Sequence, residues 1–175
     1  MNALSIDEIS KLFLKTARNT LEAATGQEIN VSQTIQNIPR VSMKPDLTCF
    51  VQFDGDYSGL IILNFAAEAA FKIYKDYMIS MGMPEDELAK SVRDPEVTDS
   101  IGEITNQLVG HLIREVEEQF DLNASFGQPK ALTLNSPITL VIDADYAENR
   151  RLAFKIGNRS FRCEIAMEHT EFIQI

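Results

Sequence analysis

Apolar residues recur every three or four positions in three stretches of this chain, and every second position between them. From Ser5 to Gly26, the residues Ile9, Leu12, Phe13, Ala17, Leu21 and Ala24 form one stripe, which predicts a helix. Ser5 followed by Glu8 is a capping-box pattern, and Gly26 is a stop residue. A second helix is predicted over Ala66 to Met81, closed by Gly82, with a short restart from Pro84 to about Ser91. The longest stripe runs from Asp94 to Phe120. There Asp94 is placed to cap, Pro95 suits the first helical position, and Glu96 favours the positive end of the dipole. Val97, Ile101, Ile104, Leu108, Leu112 and Val116 share one side of this helix. The other side holds Asp99, Glu103, Asn106, Gln107, Gly110 and Arg114.

Between the helical stretches the period falls to two. Strands are predicted over Ile29 to Ile35, Thr48 to Phe53, Leu60 to Phe65, Ala131 to Leu134, Ile138 to Ile142, Arg151 to Ile156 and Phe161 to Met167. Asp54-Gly55-Asp56 turns one hairpin and Gly157 to Ser160 another; Leu122 to Gln128 is predicted as a loop and Ala144 to Asn149 as a turn. The run Leu60-Ile-Ile-Leu-Asn-Phe65 is apolar on both faces, so both are covered or one meets a partner. The order helix, strands, helices, strands predicts an α+β fold: a largely antiparallel sheet with helices packed on one face, in a single domain over 1–175. Each half contributes a major helix and strands. This hints at an internal duplication, although Ser5–Phe65 and Asp94–Met167 show no convincing self-match.

Composition narrows the partners. The 175 residues are 45% hydrophobic and carry a net charge of −10, which argues against nucleic acid or an anionic membrane. Two distant cysteines, Cys49 and Cys163, and two distant histidines, His111 and His169, have no metal-ligand spacing, so no metal site is expected. The cysteines are expected to be reduced core residues. No signal peptide or bilayer-length apolar run is present, which makes a cytoplasmic location the expectation.

The polar stripe of the long helix is where chemistry could reside. Glu103 and Asn106, three positions apart, project from the same face. A carboxamide has both a donor and an acceptor, so it can hold a water and aim it at an electrophile. A neighbouring carboxylate can fix docking by pairing with a partner's cation. Gly110, one turn on, lets another backbone come close. Burial of the apolar face and solvation of the polar one would account for the same residues without any function.

A resemblance favours the functional reading. Asp99, Glu103 and Asn106, followed by Pro129 after twenty-two intervening residues, match the pattern of the CheC/CheX/FliY phosphatases at all its fixed positions. The order of elements is similar to CheX. The resemblance implies hydrolysis of the phospho-aspartate on a CheY-like response-regulator receiver domain. Asn106 would orient the attacking water and Glu103 would contact the receiver's lysine, while Asp99, Gly110 and Pro129 would support the motif. It implies no cofactor of the chain's own, since Mg²⁺ belongs to the receiver. In the first helix the nearest second motif is Thr16-Ala-Arg-Asn19, with Thr16 in place of Glu and Ser42 in place of Pro. One motif is the CheX-like number, and CheX-like proteins are homodimers, with which the apolar Leu60–Phe65 strand is compatible. The alternative is a non-catalytic signalling or scaffold module that binds a receiver or a flagellar or chemotaxis partner. Receiver active sites are themselves acidic, so docking would need local basic residues such as Arg114.

Overall fold

The computed structural model describes residues 4–139 and 148–168. Helix α1 spans Ile6–Thr25. The Ser5 hydroxyl accepts from the Glu8 amide at 3.2 Å, and Gly26 ends the helix in the left-handed conformation at φ 68°. Only this half of the capping box forms, because the Glu8 carboxylate turns to Lys11. Helix α2 is Ala67–Ser80 and helix α3 is Pro95–Phe120. The expected Asp94 cap is not made by its side chain. Asp94 Oδ2 instead accepts from the Lys90 and Ser91 amides, closing the loop before the helix. The helix expected over Pro84 to Ser91 shrinks to a single 3₁₀ turn, Glu85–Glu87.

The strands among the described residues are, in chain order, β1 Ile29–Val31, β2 Gln36–Asn37, β3 Ser42–Met43, β4 Leu47–Gly55, β5 Gly59–Phe65, β6 Ala124–Phe126, β7 Lys130–Thr133, β8 Ile138–Thr139, β9 Glu148–Ile156 and β10 Arg159–Met167. The strand expected over Ile29 to Ile35 breaks at Ser32, whose hydroxyl bonds both the amide and the carbonyl of Thr34 and so competes with the ladder. The expected loop over Leu122 to Gln128 contains β6, which three turn-type residues (Asn123, Ser125 and Gly127) had disguised. The second half of the strand expected at Ile138 to Ile142, most of the turn at Ala144 to Asn149, and the tail with His169 lie outside the described residues. The turn between β9 and β10 tightens to Gly157-Asn158, since Arg159 already pairs with Ile156.

The main sheet is antiparallel, in the order β1-β9-β10-β5-β4-β6, with β2 also on β9 and β7 also on β4. Helices α1, α2 and α3 cover one face. Cys49, Val51 and Phe53 of β4, Ile61 and Leu63 of β5, and Leu152 and Phe154 of β9 meet Phe13, Tyr74 and Ile104 in one core. Phe65, Phe161 and Phe154 stack across three strands, with centroids 5.2 and 5.1 Å apart, and Phe13 sets its edge on Phe154.

The apolar run of β5 has an internal explanation. Leu60 and Ile62 face away from the helices and are sealed by Val41 and Met43. β5 lies between β10 and β4, so it has no free edge for a second copy. The Val41–Lys44 cover is pinned by side chains. Asn64 accepts from the Lys44 amide and donates to the Ser42 carbonyl, while Glu164 accepts from the Ser42 amide at 2.6 Å and pairs with Arg151 at 3.0 Å.

The hint of duplication reappears in the connectivity. β1 and β2 add to β9 as β6 and β7 add to β4; β4 pairs β5 as β9 pairs β10. β5 with β10 and β3 with β8 pair across the halves. The two halves are therefore threaded alike, and each half's short strands complete the other half's sheet.

Candidate functional site

The stripe predicted to be buried on α3 is buried: Val97, Ile101, Ile104, Leu108, Leu112 and Val116 are at most 2% exposed. This anchoring leaves Asp99, Glu103 and Asn106 exposed on the far side. They do not face open solvent on every side. A groove of about 700 Å³ lies along them, with one wall formed by Thr98, Asp99, Gly102, Glu103 and Asn106 and the other by Phe126, Gly127, Gln128, Pro129 and Ala131.

The second wall has a clear local origin. β6 and β7 both pair with β4, but from Phe126 to Lys130 the chain takes four steps while β4 takes three, from Phe53 to Phe50. The extra residue is accommodated as a bulge over Gly127-Gln128-Pro129, tied to β4 only by the Gly127 amide on the Gln52 carbonyl at 3.0 Å. Proline has no amide to offer a ladder, so position 129 suits a bulge. The bulge carries Pro129 to the groove beside Asp99, Glu103 and Asn106.

Gly110 is placed differently from the sequence reading. It does not line the groove; it lies under the Phe126 ring, 3.6 Å from where a Cβ would stand. The close neighbour is thus a side chain of the same molecule rather than another backbone, and the distance is ordinary contact. Gly102 is the bare position in the groove, with nothing within 4 Å of where a Cβ would stand. It was detectable as a glycine inside a helix, which costs stability and so calls for a reason.

Arg114 does not neutralise this groove. It lies eight residues beyond Asn106, about 12 Å along the helix. There it lines a separate small cleft between α1 and α3 with Thr16, Asn19, Thr20, His111 and Glu115. His111 Nδ1 is 2.7 Å from the Thr20 hydroxyl, a structural tie between the two helices. Thr16 is largely buried at the base of this cleft and donates its hydroxyl to the Phe13 carbonyl, so no carboxylate stands beside Asn19.

Glu103 has one partner that periodicity could not reveal. Tyr77 of α2 donates its hydroxyl to Glu103 Oε1 at 3.2 Å. Among the described residues, the Asn106 carboxamide has no hydrogen-bond partner and is left to the groove. Also among the described residues, no group of three or more His, Cys, Asp or Glu is arranged to hold a metal ion, and no helix is long and apolar enough to cross a membrane.

The family model described as "Protein of unknown function (DUF3334)" matches residues 2–175. None of the curated proteins matches the sequence. Among solved structures, the chain is similar to the chemotaxis protein CheX from Desulfovibrio desulfuricans, at 20% identity and a TM-score of 0.76 over 92% of this chain and 99% of that one. It is similar to CheX from Vibrio vulnificus at the same identity, score and coverage. It is also similar to a chain of the CheX–CheY–BeF3–Mg²⁺ complex from Borrelia burgdorferi, at 16% identity and a TM-score of 0.70 over 92% of this chain and 98% of that one. These likenesses establish the fold: α+β, of the CheX/CheC kind, with an open antiparallel sheet.

Proposed function

This chain belongs to the DUF3334 family, and we propose that it is a phosphatase for the phospho-aspartate of a CheY-like receiver domain. One observation carries the reading. Asp99, Glu103, Asn106 and Pro129, thirty residues apart from first to last, all line one groove, and the bulge at Pro129 forms part of its second wall. The similarity to a chain from a complex of CheX with CheY supports a receiver as the partner.

In this reading the receiver brings its phospho-aspartate, its lysine and its Mg²⁺. Glu103 pairs with the lysine and fixes the register of docking. The Asn106 carboxamide holds a water in line with the phosphorus. The water oxygen bonds to phosphorus as the bond to the aspartyl oxygen breaks, giving inorganic phosphate and a free carboxylate. Phosphoryl transfer needs positioning more than a strong base, so an amide suffices. Asp99 adds negative potential to the groove, which favours a cationic contact on the partner. A cytoplasmic location and a homodimer remain part of the proposal; the dimer would use a surface other than β5.

The test follows acid-labile phosphate on receivers phosphorylated with acetyl phosphate. Wild-type protein accelerates its loss, and Asn106→Ala reduces the acceleration about 100-fold with an unchanged Tm. Wild type that binds a receiver without accelerating the loss would identify a docking module in place of an enzyme.

A further inference from the structure

Glu103 reaches the groove from an exposed position, where a long carboxylate side chain ordinarily samples several rotamers. Its contact with Tyr77 restrains it. Tyr77 is 6% exposed and its ring belongs to the helix-face core, so the donor is anchored from below the surface. A fixed donor on Oε1 leaves Oε2 free to accept from a partner's cation.

The neighbouring tyrosine shows that this use is not generic. Tyr74, one turn earlier on α2, donates to Glu96 Oε2 at 3.1 Å and accepts from the Ala89 amide at 2.9 Å, tying down the loop before α3. Tyr77 holds no described loop; its hydroxyl goes to the carboxylate at the groove, with the Gln107 side chain of α3 as its other polar neighbour.

We propose that Tyr77 is a positioning residue, which sets the rotamer of Glu103 so that its second oxygen faces the docked receiver. This rests on the reading of Glu103 as the docking carboxylate. Burial first, and then the charge of Glu103, raise the Tyr77 phenol above its ordinary range, consistent with a hydroxyl held against a carboxylate.

Tyr77→Phe keeps the ring and removes the donor. With a CheY-like receiver phosphorylated by acetyl phosphate, the expected result is a rise in KM of about three- to tenfold at unchanged kcat and unchanged Tm. In a Glu103→Ala background the same substitution adds nothing, because the two residues act as one unit. A merely structural tyrosine would not produce that KM-only, non-additive pattern. An independent readout is the titration of Tyr77 by NMR of ¹³Cζ-labelled tyrosine, whose midpoint falls on Glu103→Gln. A wild type without activity overturns the phosphatase reading. An active wild type overturns the Tyr77 proposal if Tyr77→Phe leaves KM unchanged, if its effect adds fully to Glu103→Ala, or if the Tyr77 midpoint ignores Glu103→Gln.

Discussion

Gly102 stands next to Glu103 in sequence and forms the bare part of the groove wall. A helix-interior glycine is less favourable than alanine by about 0.5–1 kcal/mol. Nothing within 4 Å would oppose the methyl group. Gly102→Ala is therefore expected to stabilise the protein by about 0.5–1 kcal/mol in thermal or urea unfolding. On the proposed function it also lowers phosphatase activity, because the methyl group stands where the partner must approach. Stability and activity moving in opposite directions would separate a docking role from a packing one. Helical spacing made Glu103 and Asn106 legible as a pair, because residues three apart share a face. It could not show Tyr77 against Glu103, which joins positions 26 apart through the packing of α2 on α3.

Two elements owe their position to partners far away in the chain. The Val41–Lys44 segment covers the outer face of β5 with little ladder of its own, since β3 and β8 pair over two residues each. Glu164, 1% exposed, holds it through the Ser42 amide while paired with Arg151. Glu164→Ala strands the Arg151 charge and frees that amide, and is expected to cost about 3 kcal/mol with loss of hydrogen-exchange protection at Ser42 and Lys44. The bulge at Gly127–Pro129 is the second such element. Pro129 was legible in the sequence only as a position of the motif; the bulge follows from the register of β6 and β7 on β4.

At the scale of the whole molecule, folding holds two thiols and one phenol in their neutral form. Burial pushes the Cys49 thiol up to about 11, and burial with Asp56 and Glu117 pushes Tyr57 up to about 12. Cys163 is raised in the same direction by burial and by Glu164. The unfolded chain releases these protons at lower pH than the folded one. Their contribution to stability is thus complete below the unfolded values and is lost as pH rises toward the folded ones. Tm is expected to fall between about pH 9 and pH 11, and Cys49→Ala should flatten part of that decline. The two thiols stay separate throughout: both lie beside Leu63 on opposite neighbouring strands, about 10 Å apart, beyond disulfide reach.

What the sequence determined by itself was whatever repeats with a local period or follows a fixed spacing. That covers the three helices, the long strands, the α+β class and the four residues of the motif. Backbone geometry places every third or fourth side chain of a helix, and every second one of a strand, on the same face regardless of the rest of the chain. Tertiary structure alone decided which short strands complete which half of the sheet, and that Asp94 serves the loop instead of the helix. It alone decided that Gly102, and not Gly110, is the open position. These depend on partners brought together across the chain, for which no local period exists. The helix α3 is thus legible as a surface carrying Glu103 and Asn106. The groove in front of it is not, because its opposite wall is set by how β6 and β7 pair with β4.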